Sequence, residues 1–155
     1  MTKILLAFSW GYRPSGPSMS NEILAREVAV AKAGFEYILA QTEVADALIP
    51  LGMTPDFIIG KSHVYITTAD VGRAALVWMK EKGIDQAKTH IAVACHPVHW
   101  VGVRMVLRKL GVSAERIPGN APYDPQSSQW YTRGPLRALL GKVTRGIAYA
   151  WRGEL

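Results

Sequence analysis

Cys95-His96-Pro97-Val98-His99 places a thiol and two imidazoles within five residues, the densest chemical cluster in the sequence. Three readings fit it. A zinc site built on His96 and His99 needs one or two further ligands, which Glu43 or His63 would have to supply from elsewhere, so no metal is expected. A Cys-His nucleophile pair needs a thiol of lowered pKa, whereas a cysteine that closes an apolar run ordinarily serves as a small core residue. General acid/base work or ligand contact by His99, in the first turn of a helix, is the reading carried forward; the plainer alternative is a solvated surface histidine. Glu43 is the second chemical candidate, as a base or as the acceptor for a ribose hydroxyl. Arg133 and Arg137 stand where a loop runs into a helix, and their guanidinium forks suit phosphate or carboxylate.

These residues need a frame that gathers them. From residue 3 to about residue 118, short apolar runs alternate with segments of helical period, the pattern of a parallel sheet covered by helices. Strands are expected at Ile4 to Ser9, Tyr37 to Ala40, Phe57 to Gly60, His90 to Cys95 and Arg116 to Pro118. Ser20 is expected to cap a helix running to Ala33 and stopped by Gly34. Thr67-Thr68-Ala69-Asp70 matches a capping box before Val71 to Lys82, and Pro97 suits the first turn of a helix that ends at Gly111. Asn120 to Ser128 reads as an ordered loop, followed by an amphipathic helix from Leu136 to Trp151.

In open parallel sheets the ligand crevice lies beyond the carboxyl ends of the strands. The residues at those ends are polar: Ser9, Trp10, Tyr12 and Arg13; Gln41, Thr42 and Glu43; Lys61, Ser62 and His63; then Cys95, His96 and His99. Helix starts at Ser20, Thr42, Thr67 and Pro97 would turn backbone N–H groups toward the same crevice, with Thr68 beside them, which suits an anion.

Composition narrows the partners. With 155 residues, 49% of them hydrophobic, the chain is sized for one domain, 1–155, with a proper core, and 18 Lys and Arg against 12 Asp and Glu favour anionic partners. The single cysteine rules out an intrachain disulfide framework. No apolar run reaches the roughly 18 residues of a spanning helix, and a cytoplasmic protein is expected. Arg26, Arg73, Lys80, Lys82, Arg108 and Lys109 fall on different helices. Nucleic-acid binding, which would use the basic carboxy-terminal stretch with Trp130, Tyr131 and Trp151, is therefore the least favoured class. Neither G-x-G-x-x-G after the first strand, nor a P-loop, nor G-x-S-x-G is present.

The order of short motifs resembles the bacterial domain-of-unknown-function family that contains YdcF, SanA and ElyC. The resemblance runs over most of the chain. It rests on Thr42-Glu43-Val44-Ala45 opening a helix, Thr67-Thr68-Ala69-Asp70, and Ala94-Cys95-His96-Pro97-Val98-His99 leading to Leu110-Gly111. Tyr123, Trp130 and Arg133 complete it. The chain departs from the family at Ala40-Gln41, where a Gly-rich turn is usual, at Lys61 in place of an acid, and at Gly102 in place of an arginine that Arg104 or Arg73 would have to replace. The resemblance implies a Rossmann-like fold and a nucleotide-sized ligand, with S-adenosylmethionine for some members and envelope or peptidoglycan precursor metabolism for others.

The expectation is a three-layer α/β domain with a parallel sheet of about five strands in the order 3-2-1-4-5. It binds an anionic, nucleotide-like small molecule, with S-adenosylmethionine or a nucleotide as the candidate cofactor. Glu43 and His99 are the catalytic candidates, and Ser9, Gln41, Thr42, Thr67, Thr68, His96, Arg133 and Arg137 the ligand-binding ones. Transfer or hydrolysis on a phosphate-containing substrate is the enzymatic form, and a non-catalytic binding module the alternative.

Overall fold

The computed structural model describes residues 1–61, 64 and 66–141. Five strands, β1 (Thr2–Ala7), β2 (Tyr37–Gln41), β3 (Phe57–Ile59), β4 (Thr89–Ala94) and β5 (Ala114–Arg116), form one sheet in the order β3-β2-β1-β4-β5. All pairings are parallel. β1 is central, matched to β2 from Ile4 with Tyr37 to Ala7 with Ala40, and to β4 from Thr2 with Thr89 to Ala7 with Ala94. This is the Rossmann-like α/β sheet expected from the alternation of apolar runs and helical segments.

Because side chains alternate along a strand, β1 feeds two cores. Leu5 and Ala7 point to one face with Leu24 and Val28 of α1 (Met19–Ala31) and Val44 and Leu48 of α2 (Thr42–Leu48). Ile4, Leu6 and Phe8 join Val71, Trp78 and Met79 of α3 (Thr68–Glu81) and Val103 and Leu107 of α4 (Pro97–Lys109) on the other. The outer layers and the sheet make three layers.

Several boundaries move. β1 and β4 each begin two residues or one residue earlier than the apolar runs predict, and end at Ala7 and Ala94, although the Phe8 N–H still bonds the Ala94 carbonyl at 2.9 Å. β5 is Ala114–Arg116, not Arg116 to Pro118, and the Ile117 N–H continues the ladder to the Val93 carbonyl. The cap of α1 is Ser18 rather than Ser20. Ser18 Oγ accepts from the Asn21 N–H, while Ser20 lies inside the helix, buried, with its hydroxyl donating to the Pro122 carbonyl. α1 gives way to a 3-10 turn at Lys32–Gly34 instead of running to Ala33. The capping box of α3 forms as expected: the Asp70 N–H bonds Thr67 Oγ1, and the Thr67 N–H bonds Asp70 Oδ2. A helix begins at 135 and is described through 141; the rest of the stretch to Trp151 lies outside the described residues, as do Ser62 and His63.

Candidate functional site

A cavity of about 400 Å³ opens at the carboxyl ends of β1, β2 and β4. This is where the order of strands reverses, since successive crossovers carry the chain outward from β1 to β3 and then across to β4, and such a switch point leaves a crevice between diverging loops. Phe8, Ser9, Trp10, Gly11 and Tyr12 form the wall after β1; Gln41 and Glu43 the wall at β2 and α2; Val64, Ile66 and Thr68 the approach to α3; and His99 the α4 side. Gln129, Trp130 and Tyr131 close it from the far end of the sequence.

That last wall is tied down by ionic and backbone contacts. Arg13 grips Asp124 with both ends of its guanidinium, Nε to Oδ2 at 2.7 Å and Nη2 to Oδ1 at 2.6 Å. The Asp124 side chain is fully buried and also accepts from the backbone N–H groups of Met19 and Gln126. Burial works against its ionisation, but the Arg13 hydrogen bond and the Gln126 N–H outweigh it and hold the carboxyl below the usual aspartate range. The Ser128 N–H bonds the Tyr12 carbonyl at 2.8 Å, and Thr132 Oγ1 donates to Ser127 Oγ at 2.7 Å. Gly11 passes beneath these groups with φ +77°, and a Cβ there would come within 2.6 Å of Ser127 Oγ and 2.8 Å of Thr132 Oγ1. Only glycine accepts both the backbone angle and the approach.

Trp10 forms the back of the cavity. Its ring, 3% exposed, stacks on His96 at 4.8 Å with 16° between planes and lies 5.2 Å from the His99 ring. His96 is itself buried. It serves as the cap of α4: the Val98 N–H donates to its Nδ1 at 3.2 Å, and a backbone N–H can only donate, so this nitrogen carries no proton. Tyr123 covers the other side of the His96 ring at 4.6 Å. His99, three residues on and half-buried, faces the cavity with Nε2 3.2 Å from Thr68 Oγ1.

The expected site residues therefore divide. Ser9, Gln41, Glu43, Thr68 and His99 line one cavity. Thr42 is buried beside it, its hydroxyl donating to the Ile59 carbonyl at 3.2 Å, and Thr67 is the capping residue of α3. His96 lies behind Trp10 instead of in the wall. Arg133 and Arg137 do not reach back as expected. Both are exposed, and Arg133 Nε is committed to the Ser127 carbonyl at 2.6 Å, so the arginine beside the loop braces it. Neither Arg73, which pairs with Asp70, nor the exposed Arg104 lines the cavity, and Gly102 is exposed with open space around it. Cys95 is 1% exposed, and burial pushes its thiol up to about 12, the opposite of a nucleophile's requirement.

Phe8, Gly11, Val64, Ile66, Gln129 and Tyr131 line the cavity without having been singled out as crevice residues. Trp130 and Tyr131 carry a signal in the sequence, adjacent aromatics just before a helix, but it reads there as a stacking surface for nucleic acid. Among the described residues no group of three or more His, Cys, Asp or Glu is placed to hold a metal ion, and no helix is long and apolar enough to cross a membrane.

No protein-family model matches the chain, and no curated protein matches it. Among solved structures, a UDP-N-acetylglucosamine 2-epimerase aligns over 75% of this chain at 17% identity with a TM-score of 0.37. The chain spans about a third of that protein, 33% of its length.

Proposed function

We propose that the protein binds a nucleotide-like small molecule, anionic through its phosphates, in the cavity at the strand carboxyl ends. The observation that carries the reading is the make-up of that wall: five aromatic residues, Phe8, Trp10, Tyr12, Trp130 and Tyr131, share a cavity of about 400 Å³ with Gln41, Glu43, Thr68 and His99. A pocket of this size that combines aromatic walls with a few converging polar groups is a common form of small-ligand site. The partly exposed rings of Tyr12, Trp130 and Tyr131 offer stacking surface to a planar ring, and Glu43 offers an acceptor to a sugar hydroxyl. The resemblance to the YdcF, SanA and ElyC family leads to the same ligand size, with S-adenosylmethionine as one candidate.

The enzymatic form of this reading is group transfer or hydrolysis on a phosphate-containing substrate. His99 would then move the proton, with the Thr68 hydroxyl 3.2 Å from its Nε2 to orient the ring. The test is thermal unfolding and calorimetric titration with purine and pyrimidine nucleotides and with S-adenosylmethionine. A true ligand at a hundredfold its Kd stabilises the fold by about 2.7 kcal/mol, several degrees in a domain of this size. Trp130→Ala abolishes most of that shift. Absence of any shift across the panel overturns the reading, and binding without phosphate release or transfer selects the non-catalytic form.

A further inference from the structure

Gln41 fixes what the inner wall offers. The Ser9 N–H meets the Gln41 side chain at 3.0 Å, and because a backbone N–H only donates, the atom it meets is Oε1. The amide therefore cannot be turned over, and its Nε2 carries the two hydrogens that remain. Ser9 and Gln41 both line the cavity, and among the described residues no hydrogen bond takes up Nε2. A second donor lies close by in the same wall. The Trp10 indole N–H is buried with no acceptor among the described residues, and its ring is held in place by the stack on His96.

Charge gives the other half of the argument. The described lining contains one carboxylate, Glu43, and neither lysine nor arginine. The arginines nearest in the chain are committed elsewhere, Arg13 to Asp124 and Arg133 to the Ser127 carbonyl, and Lys61 and Arg137 are exposed outside the lining. A phosphate held inside would face the Glu43 carboxylate, and among the described lining residues no lysine or arginine stands opposite to receive it. Donor groups without formal charge suit an uncharged acceptor edge, such as the ring nitrogens and carbonyls of a nucleobase.

We propose that the cavity encloses the uncharged nucleoside part of the ligand, with Gln41 donating through Nε2 to an acceptor atom on that part, while the phosphates stand outside in solvent. This rests on the nucleotide reading for the class of ligand and goes beyond it in assigning which part is recognised.

The experiment is calorimetric titration of the full chain, at low and moderate salt, with adenosine, guanosine, cytidine and uridine and with their mono- and triphosphates. The best nucleoside is expected to bind within about threefold of its triphosphate, with a shallow salt dependence, because few cations engage the ligand. Gln41→Glu keeps an acceptor for the Ser9 N–H and removes the donor; it is expected to leave the unfolding temperature in place and weaken the nucleoside about tenfold. A triphosphate that binds while its nucleoside does not overturns this inference and leaves the nucleotide reading standing. Failure of the whole panel overturns both. Unchanged affinity in Gln41→Glu removes Gln41 from the recognition, and should that variant not fold, the comparison of nucleoside with triphosphate on the unaltered protein decides the matter.

Discussion

At the scale of single residues, neighbours in sequence carry different tasks, and the strand-end rule finds the place without finding the task. His96 and His99 are three positions apart at the same strand end, yet the His96 imidazole caps α4 by accepting from the Val98 N–H, while His99, one turn into the helix, faces the cavity. Nothing in the spacing distinguishes them. His96→Ala is expected to lose about 1 kcal/mol or more in urea unfolding, from the cap and from the stack under Trp10. Cys95 was legible as a core residue, because it closes an apolar run. With its thiol pushed up to about 12 by burial, native Cys95 is expected to resist iodoacetamide near neutral pH and to react readily once unfolded. The sign for stability follows: an unfolded thiol ionises near 9.0, the folded one near 12, so the contribution is present below 9.0 and is lost as pH climbs through that window. Asp70 acts in the opposite sense. The Thr67 hydroxyl, the Arg73 guanidinium and the Thr67 N–H lower its carboxyl from 3.8 to about 2, so its contribution holds at neutral pH and is lost on acidification between those values. Asp70→Ala should flatten that part of an acid-unfolding curve.

At the scale of elements, the helices whose start is written in one local motif were legible, and those set by a distant partner were not. The capping box of α3 needs only Thr67 and Asp70, four residues that close on themselves. α1 offers two serines, Ser18 and Ser20, and the choice is made by groups outside the helix. Ser18 Oγ donates to the Trp10 carbonyl while capping, and Asn21 receives the Trp10 N–H and donates to the Gly11 carbonyl, so the loop after β1 selects the frame. Ser18→Ala is expected to cost about 1 kcal/mol by urea unfolding. In α4 Gly102 is exposed, and a Cβ there would meet nothing within 4 Å. Gly102→Ala is therefore expected to stabilise the protein by about 0.5 to 1 kcal/mol, since a helix-interior glycine is replaced without a clash. A lower midpoint in denaturant would contradict the open space around it.

At the scale of the whole molecule, the sheet order was legible because few topologies satisfy right-handed parallel crossovers with short connections, and the switch point of that order locates the cavity. The closing wall was not. No local pattern pairs Arg13 with Asp124, 111 residues apart, and the sequence marks 120–128 only as an ordered loop. Asp124→Ala leaves the partly exposed Arg13 without its carboxylate and the Met19 and Gln126 N–H groups without their acceptor, and is expected to cost about 2 kcal/mol in equilibrium unfolding and to loosen ligand binding with it. Since Asp124 is held below the usual aspartate range, that stabilisation is present at neutral pH and fades in acid. The same bond sets an order in time. During synthesis the residues after β1 leave the ribosome early, but the wall formed by Gln129, Trp130 and Tyr131 arrives only after more than a hundred further residues. A chain that stops short of Asp124 has the strands of its sheet and an open-sided crevice, so a ligand that depends on both walls finds its site only once residues 124–131 have been made and docked.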